Sequence, residues 1–211
     1  MKFKYLSTLT KDGKMYYNED MGVIEAMISP GKYKTSHAPA LLELNNGDML
    51  CSWFAGSFEG NSDISIVLSR LNKNEDYWQE PIKISIDSKR SEQNPSFFMP
   101  NDNEIWLVYT AQLDRVEGKD NMQFTSIIKY QKSFDNGKSW SEPQVLFSKE
   151  GSFCRQPIQI LSNGRWIFSN WICTDSESGL LGDPTVFLIS DNNGKNWKTV
   201  NMPNSNGIVH A

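Results

Sequence analysis

Cysteine is scarce in this chain and is not arranged for chemistry. Cys51, Cys154 and Cys173 cannot all pair with one another, none belongs to a Cys-x-x-Cys motif, and each sits in an apolar, strand-like stretch. That placement points to buried free thiols rather than a disulfide framework or a redox or metal site. Histidine is scarcer still. His37 and His210 lie 173 residues apart, with no HxH or HExxH pattern, so neither a metal nor a cofactor is expected. Charge of one sign is not concentrated anywhere: 21 basic and 25 acidic residues are dispersed to a net −4, and no basic stripe offers itself to nucleic acid. Long apolar runs are missing too. Residues 1–12, "MKFKYLSTLTKD", carry lysines without the apolar core of a signal peptide, and no later stretch is long enough to cross a bilayer. No membrane partner is expected, and a reducing cytoplasm suits three unpaired thiols best.

Aromatics and turn formers, by contrast, are plentiful. Aromatic residues make up 12% of the chain, and 14 Gly and 9 Pro punctuate it, a mixture that favours an all-β protein over a helical bundle. Three segments share one pattern: "HAPALLELNNGDMLCSWF" (37–54), "QNPSFFMPNDNEIWLVYT" (93–110) and "RQPIQILSNGRWIFSNW" (155–171). In each, a proline follows a polar residue closely. A β run, a tight turn (Asn46-Gly47, Asp102-Asn103, Asn163-Gly164) and a second apolar run then complete a hairpin signature. The prolines, Pro39, Pro95 and Pro157, are 56 and 62 residues apart.

A polar loop, a third strand, a turn and a tryptophan follow each hairpin. Those tryptophans are Trp78, Trp140 and Trp197, and the first two continue identically as Trp-x-Glu-Pro into a fourth strand. Four antiparallel strands repeated at this period define the blades of a β-propeller. The units span about 37–90, 91–152 and 153–208 of a single partial propeller domain, with a fourth beginning at 209–211. Residues 1–36 form an N-terminal segment placed to close a last blade. Propellers close with about four to eight blades, so three blades read as the N-terminal half of a longer ring. Two copies joined as a homo-oligomer are the alternative.

The repeat assigns each loop to one of two ends. Two stretches, "SFDNGKSW" (133–140) and "SDNNGKNW" (190–197), are copies of one another and look at first like a site. Both span a turn between third and fourth strands, at the lower end, where a structural reading is the better one. Asp135 (Asn192 in the second copy) accepts backbone N–H groups, Gly137 and Gly194 take positive φ, Ser133 and Ser190 tie the strand end, and Trp140 and Trp197 pack between sheets. The upper end collects different residues: His37, Asn94, Arg155, Gln156 and His210 just before the inner strands, and Glu59 and Asp63 in the loop "GSFEGNSD". Taken singly, each suits a solvated loop or strand start. As a set converging on a propeller axis, they form a concave site for a small polar ligand. An imidazole there is suited to ligand contact or proton transfer near neutral pH.

The Ser-x-Asp-x-Gly-x-x-Trp turn resembles the Asp box, or BNR repeat, of sialidases (neuraminidases). The run "HAPALLEL…NGDMLCSWFAGSFEGNSDISIVLSR" resembles the first blade of the sialidase-like proteins usually labelled predicted neuraminidases, and "QNP" and "RQPIQIL…NGR" resemble the starts of the next two. The resemblance covers about residues 33–211 and implies a sialidase-like β-propeller, six-bladed in that family, acting as an exo-glycoside hydrolase on a terminal acidic sugar. In the family, three arginines hold the sugar carboxylate, an Asp of the first blade is the acid/base, and a Tyr–Glu pair is the nucleophile. Carried over by position, the first arginine of that clamp becomes His37, and the second falls near Gly56-Ser57. The acid/base falls between Glu59 and Asp63, and the Asn-Pro pair of the second blade matches Asn94-Pro95. The nucleophile and third arginine belong to later blades. The expected catalytic residues are therefore Asp63, Glu59 and His37, with Asn94, Arg155, Gln156 and His210 binding a carbohydrate substrate. A propeller lyase using a histidine base on a uronate, and a non-catalytic glycan-binding propeller, are the alternatives.

Overall fold

Glycine turns between apolar runs divide the chain into short antiparallel strands joined by turns and loops, as a computed structural model of the protein shows for residues 10–119, 122–175 and 179–208. Residues 209–211, where a fourth unit was expected to begin, lie outside the described residues, and His210 lies there with them. No described segment is an α-helix, and no helix is long and apolar enough to cross a membrane. A hairpin of β1 (Met15–Asn18) and β2 (Val23–Ala26) comes first, and three antiparallel sheets follow in sequence order.

The first sheet is β3 (Thr35–Glu43), β4 (Met49–Gly56), β5 (Ser65–Leu71) and β6 (Ile82–Lys83). The second is β7 (Arg90–Asn101), β8 (Glu104–Leu113), β9 (Ile127–Ser133) and β10 (Gln144–Phe147). In the third, β11 (Ser152–Phe153) and β12 (Gln159–Ile160) both pair with β13 (Trp166–Ile172), which continues through β14 (Thr185–Ser190) to β15 (Lys198–Asn201). In the first two sheets each strand pairs with its sequence neighbour, as a propeller blade requires, and in the third the broken inner strand β11/β12 pairs with β13.

Burial follows from stacking these sheets face to face. Strands β4, β5 and β8 are buried along nearly their whole length because a neighbour covers each face. In contrast β13 alternates, its inward side chains Trp166 and Phe168 facing the second blade. One apolar cluster, with Leu50, Phe54, Ile66, Leu107 and Tyr109, joins blades one and two, and Trp140 packs against it. A second cluster, with Phe98, Trp106, Val108, Trp166 and Phe168, joins blades two and three, and Trp197 packs against that. Trp78 instead packs with Cys51, Trp53 and Val67 under Met15, Ala26, Ile28 and Tyr33. The N-terminal segment thus covers the face of blade one where, for the other blades, a preceding blade lies.

All three cysteines are buried and unpaired. Burial pushes the Cys51 thiol up to about 11 and those of Cys154 and Cys173 to about 12, so each stays protonated and poorly nucleophilic.

Candidate functional site

The two ends of the blades are built differently. At the lower end, the Ser133 hydroxyl donates to Asp135 Oδ1 at 2.8 Å and accepts from Gly137 N–H at 2.8 Å. Asp135 in turn accepts the N–H groups of Lys138 and Ser139 at 3.0 and 2.9 Å, and the Ser139 hydroxyl at 2.6 Å. Donors on every side hold the Asp135 carboxyl at about 2, below its ordinary value. The second copy repeats the arrangement: the Ser190 hydroxyl donates to Asn192 Oδ1 at 3.0 Å, and Asn192 accepts the Asn196 N–H at 2.9 Å. Gly137 and Gly194 have φ of +74° and +77°, and a Cβ on either would lie 2.7 Å from Leu50 Cδ1 or Trp166 Cζ3. The serine hydroxyls and the Asp135 and Asn192 side-chain oxygens are spent within their own turns, which fits a fastener.

The upper end is where the inner strands begin. Ala38 and Asn94, each directly before a proline, adopt φ of 52° and 50°, and each strand shifts register there. Left-handed geometry at a non-glycine residue is strained, and at Ala38 more so than at an asparagine. In blade three the same place is a complete break, with Arg155, Gln156 and Pro157 lying between β11 and β12. These kinks turn the three strand starts toward one groove of about 330 Å³, lined by residues 38–41, 94–97 and 155–157. Asn94, Arg155 and Gln156 therefore meet there. Asn94 is nearly buried, while Arg155 and Gln156 are exposed. Among the described residues, Arg155 has no ion-pair partner.

The loop after β4 adds the carboxylates. His37 Nδ1 lies 3.0 Å from Glu59 Oε2, with both side chains about half exposed at 56% and 45%, and the imidazole rests on Phe54 at 5.5 Å. Asp63 is committed differently: Oδ2 accepts the Ser57 N–H at 2.9 Å and Oδ1 the Ser57 hydroxyl at 2.7 Å. It closes the loop as a clamp, whereas Glu59 keeps one oxygen free of any described partner. The position is further fixed by Asp114, which accepts the N–H and hydroxyl of Ser62, both at 2.9 Å, from the corresponding loop of blade two. The Arg115 guanidinium covers Phe58 at 4.7 Å. Lys119 reaches Asp175 of blade three at 2.6 Å. The loop of residues 111–121 was expected at this end, but Asp114, Arg115 and Lys119 were not singled out as site residues, since nothing in the local pattern pairs loops some 50 residues apart.

Glu92, also near the rim in sequence, points elsewhere. It is fully buried between blades one and two, 3.2 Å from Lys129, which also bonds Asp87 at 2.5 Å. Desolvation pushes its carboxyl up despite the lysine.

The fold is that of a sialidase-like propeller, here three blades. Residues 47–211 match the family described as the BNR repeat-like domain, and the chain belongs to that family. Among solved structures, a protein of unknown function from Dyadobacter fermentans is 17% identical with a TM-score of 0.64, over 89% of this chain and 56% of that one. The Hadza microbial sialidase Hz136 is 13% identical with a TM-score of 0.63, over 84% of this chain and 40% of that one. The NanB sialidase of Streptococcus pneumoniae is 14% identical with a TM-score of 0.61, over 96% and 48%. The chain thus spans between 40% and 56% of the length of these structures. No curated protein matches it in sequence.

Proposed function

We propose that the protein acts on a terminal acidic sugar of glycans, as a sialidase-like exo-glycoside hydrolase whose substrate enters the rim groove. The observation that carries this reading is the exposed Arg155 guanidinium, without a described partner, beside Asn94 and Gln156 in a groove of about 330 Å³. A planar cation left free in a polar cleft suits a carboxylate. Glu59, rather than Asp63, supplies the proton. Its free oxygen can protonate a leaving glycosidic oxygen, while Asp63 is occupied with Ser57. Asp63 holds the loop that presents Glu59 and is a positioning residue in this scheme.

The His37–Glu59 contact of 3.0 Å favours a second reading. A carboxylate on Nδ1 leaves Nε2 as the basic nitrogen, which is what a uronate lyase needs to remove a C5 proton. A panel of sialosides and uronosides separates the two, because hydrolysis releases a free sugar and elimination leaves an unsaturated, ultraviolet-absorbing product. Glu59→Gln abolishes hydrolysis with the fold intact, and Arg155→Ala raises KM about tenfold or more for acidic substrates only. Absence of turnover across the panel, with saccharide binding retained, assigns the protein to glycan recognition without catalysis.

A further inference from the structure

We propose that the cavity between blades two and three at the lower end, opposite the rim, is a second carbohydrate site that takes a neutral mono- or disaccharide. It has a volume of about 730 Å³, more than twice that of the rim groove, and both walls come from blades two and three themselves. The size falls within the range of small-molecule sites, roughly 300–1,000 Å³.

Its lining divides into an apolar floor and a polar edge. Trp106, Tyr130 and Trp166 form the floor with Pro100 and Ile160. Trp106 and Tyr130 stack at 5.0 Å, and Trp166 meets Trp106 edge-on at 5.8 Å, so the rings are held rigidly. Around them stand Asn101, Glu104, Lys132, Asn193 and Lys195. A saccharide presents this same division, an apolar C–H face and a ring of hydroxyls that donate and accept.

The hydrogen-bonding capacity of the edge is not used up internally. Glu104 Oε1 takes both the Trp106 indole N–H at 2.7 Å and the Lys132 ammonium at 2.8 Å, whereas Oε2 has only a long contact of 3.4 Å from Asn101. The side chains of Asn193 and Lys195 reach no described partner. Glu104 and Lys132 neutralise each other, so Lys195 is the one uncompensated charge of the lining, and most of the contact area comes from rings and neutral donors and acceptors, as a neutral saccharide requires.

The test follows the indole N–H resonances of Trp106 and Trp166 by NMR in the protein titrated with lactose, maltose and methyl β-galactoside, with inorganic phosphate and glucuronate in parallel. At least one neutral saccharide moves both signals saturably in the millimolar range. Asn193→Ala combined with Lys195→Ala, two exposed positions that leave the circular dichroism unchanged, weakens that binding about tenfold. Arg155→Ala, at the other end, leaves it unaltered. The proposal is overturned if no neutral saccharide moves these signals, or if phosphate alone moves them equally. Unaltered saccharide affinity in the folded double variant overturns it as well.

Discussion

The two blade junctions are built on one plan and closed with different side chains. In the first, Arg70 stands across from Leu50 in the β4–β5 register. It bonds Asp48 at 2.9 Å and carries its second nitrogen 2.5 Å from the Asn136 carbonyl of the next blade's Asp box. At the same register in the second junction, Lys132 stands across from Trp106, and Glu104 takes the place of Asp48. Lys132 has one nitrogen, and Glu104 and the Trp106 face, 4.1 Å away, both claim it. Among the described residues no hydrogen bond or ion pair runs from blade two to the turn at Asn193, and the 730 Å³ cavity lies there. The difference is one of reach: the two guanidinium nitrogens of Arg70 span two separated acceptors, whereas the single Lys132 nitrogen is held between Glu104 and the Trp106 ring.

Removing the floor of the second junction has the largest expected effect. Trp106 is 5% exposed and touches Phe98, Tyr130 and Trp166, so Trp106→Ala should cost about 3–5 kcal/mol in urea denaturation. A loss below about 1 kcal/mol would mean that the cavity already makes this junction marginal.

The paired cations test the comparison directly. Arg70 and Asp48 are only 9% and 13% exposed, so Arg70→Ala removes both the counter-charge of a nearly buried carboxylate, which keeps only Asn46 and the Lys73 N–H, and the cation on the Asn136 carbonyl, at about 3 kcal/mol. Lys132 and Glu104 are wetter, at 28% and 20%, and Lys132→Ala should cost about 1 kcal/mol. Equal losses at the two sites would refute the claim that the junctions differ in how they are closed.

Acid separates the two boxes themselves. Asp135 is held at about 2 against an ordinary 3.8, so its contribution is full above 3.8 and fades as pH falls toward 2. The melting-temperature gap between the wild type and Asp135→Asn should therefore be widest at neutral pH and narrow over that window. An Asn192→Ala gap, where the capping oxygen is a neutral amide, should change far less over the same window.

Much of this architecture could be read from the chain because repetition is local. The Pro39, Pro95 and Pro157 phase places the hairpins, and the Ser133–Trp140 and Ser190–Trp197 spacing reports a turn that satisfies itself. The boxes thus identify the lower end without any tertiary information. What escaped the sequence depends on pairs brought together only by stacking. Ser62 with Asp114, Arg70 with the Asn136 carbonyl, and Glu92 with Lys129 are 37 to 66 residues apart, and no period links them. Glu59 and Asp63 were equivalent in sequence, and their partners tell them apart: Ser57 occupies both oxygens of Asp63, while Glu59 meets His37 through one. The break between β11 and β12 was hidden too, because "RQPIQIL" carries the same proline and a similar run of apolar residues as its two unbroken counterparts.

The smallest expected effect is also the most direct exchange between the two boxes. Asn192 accepts the Asn196 N–H and the Ser190 hydroxyl with a neutral amide oxygen, where Asp135 uses a carboxylate on a similar set of donors. Asn192→Asp strengthens those bonds by adding charge to the acceptor, a gain of about 0.5–1 kcal/mol for the two bonds together. Asp191 lies next to it, already bound to Arg165 at 2.6 Å, and its repulsion removes part of that gain. The net rise at neutral pH is therefore about 0.5 kcal/mol, a small increase in Tm. The new carboxylate should also import an acid limb that the second box lacks, so the advantage disappears as pH falls below 3.8. Stabilisation that persists unchanged in acid would show that charge on the acceptor is not what distinguishes the two turns.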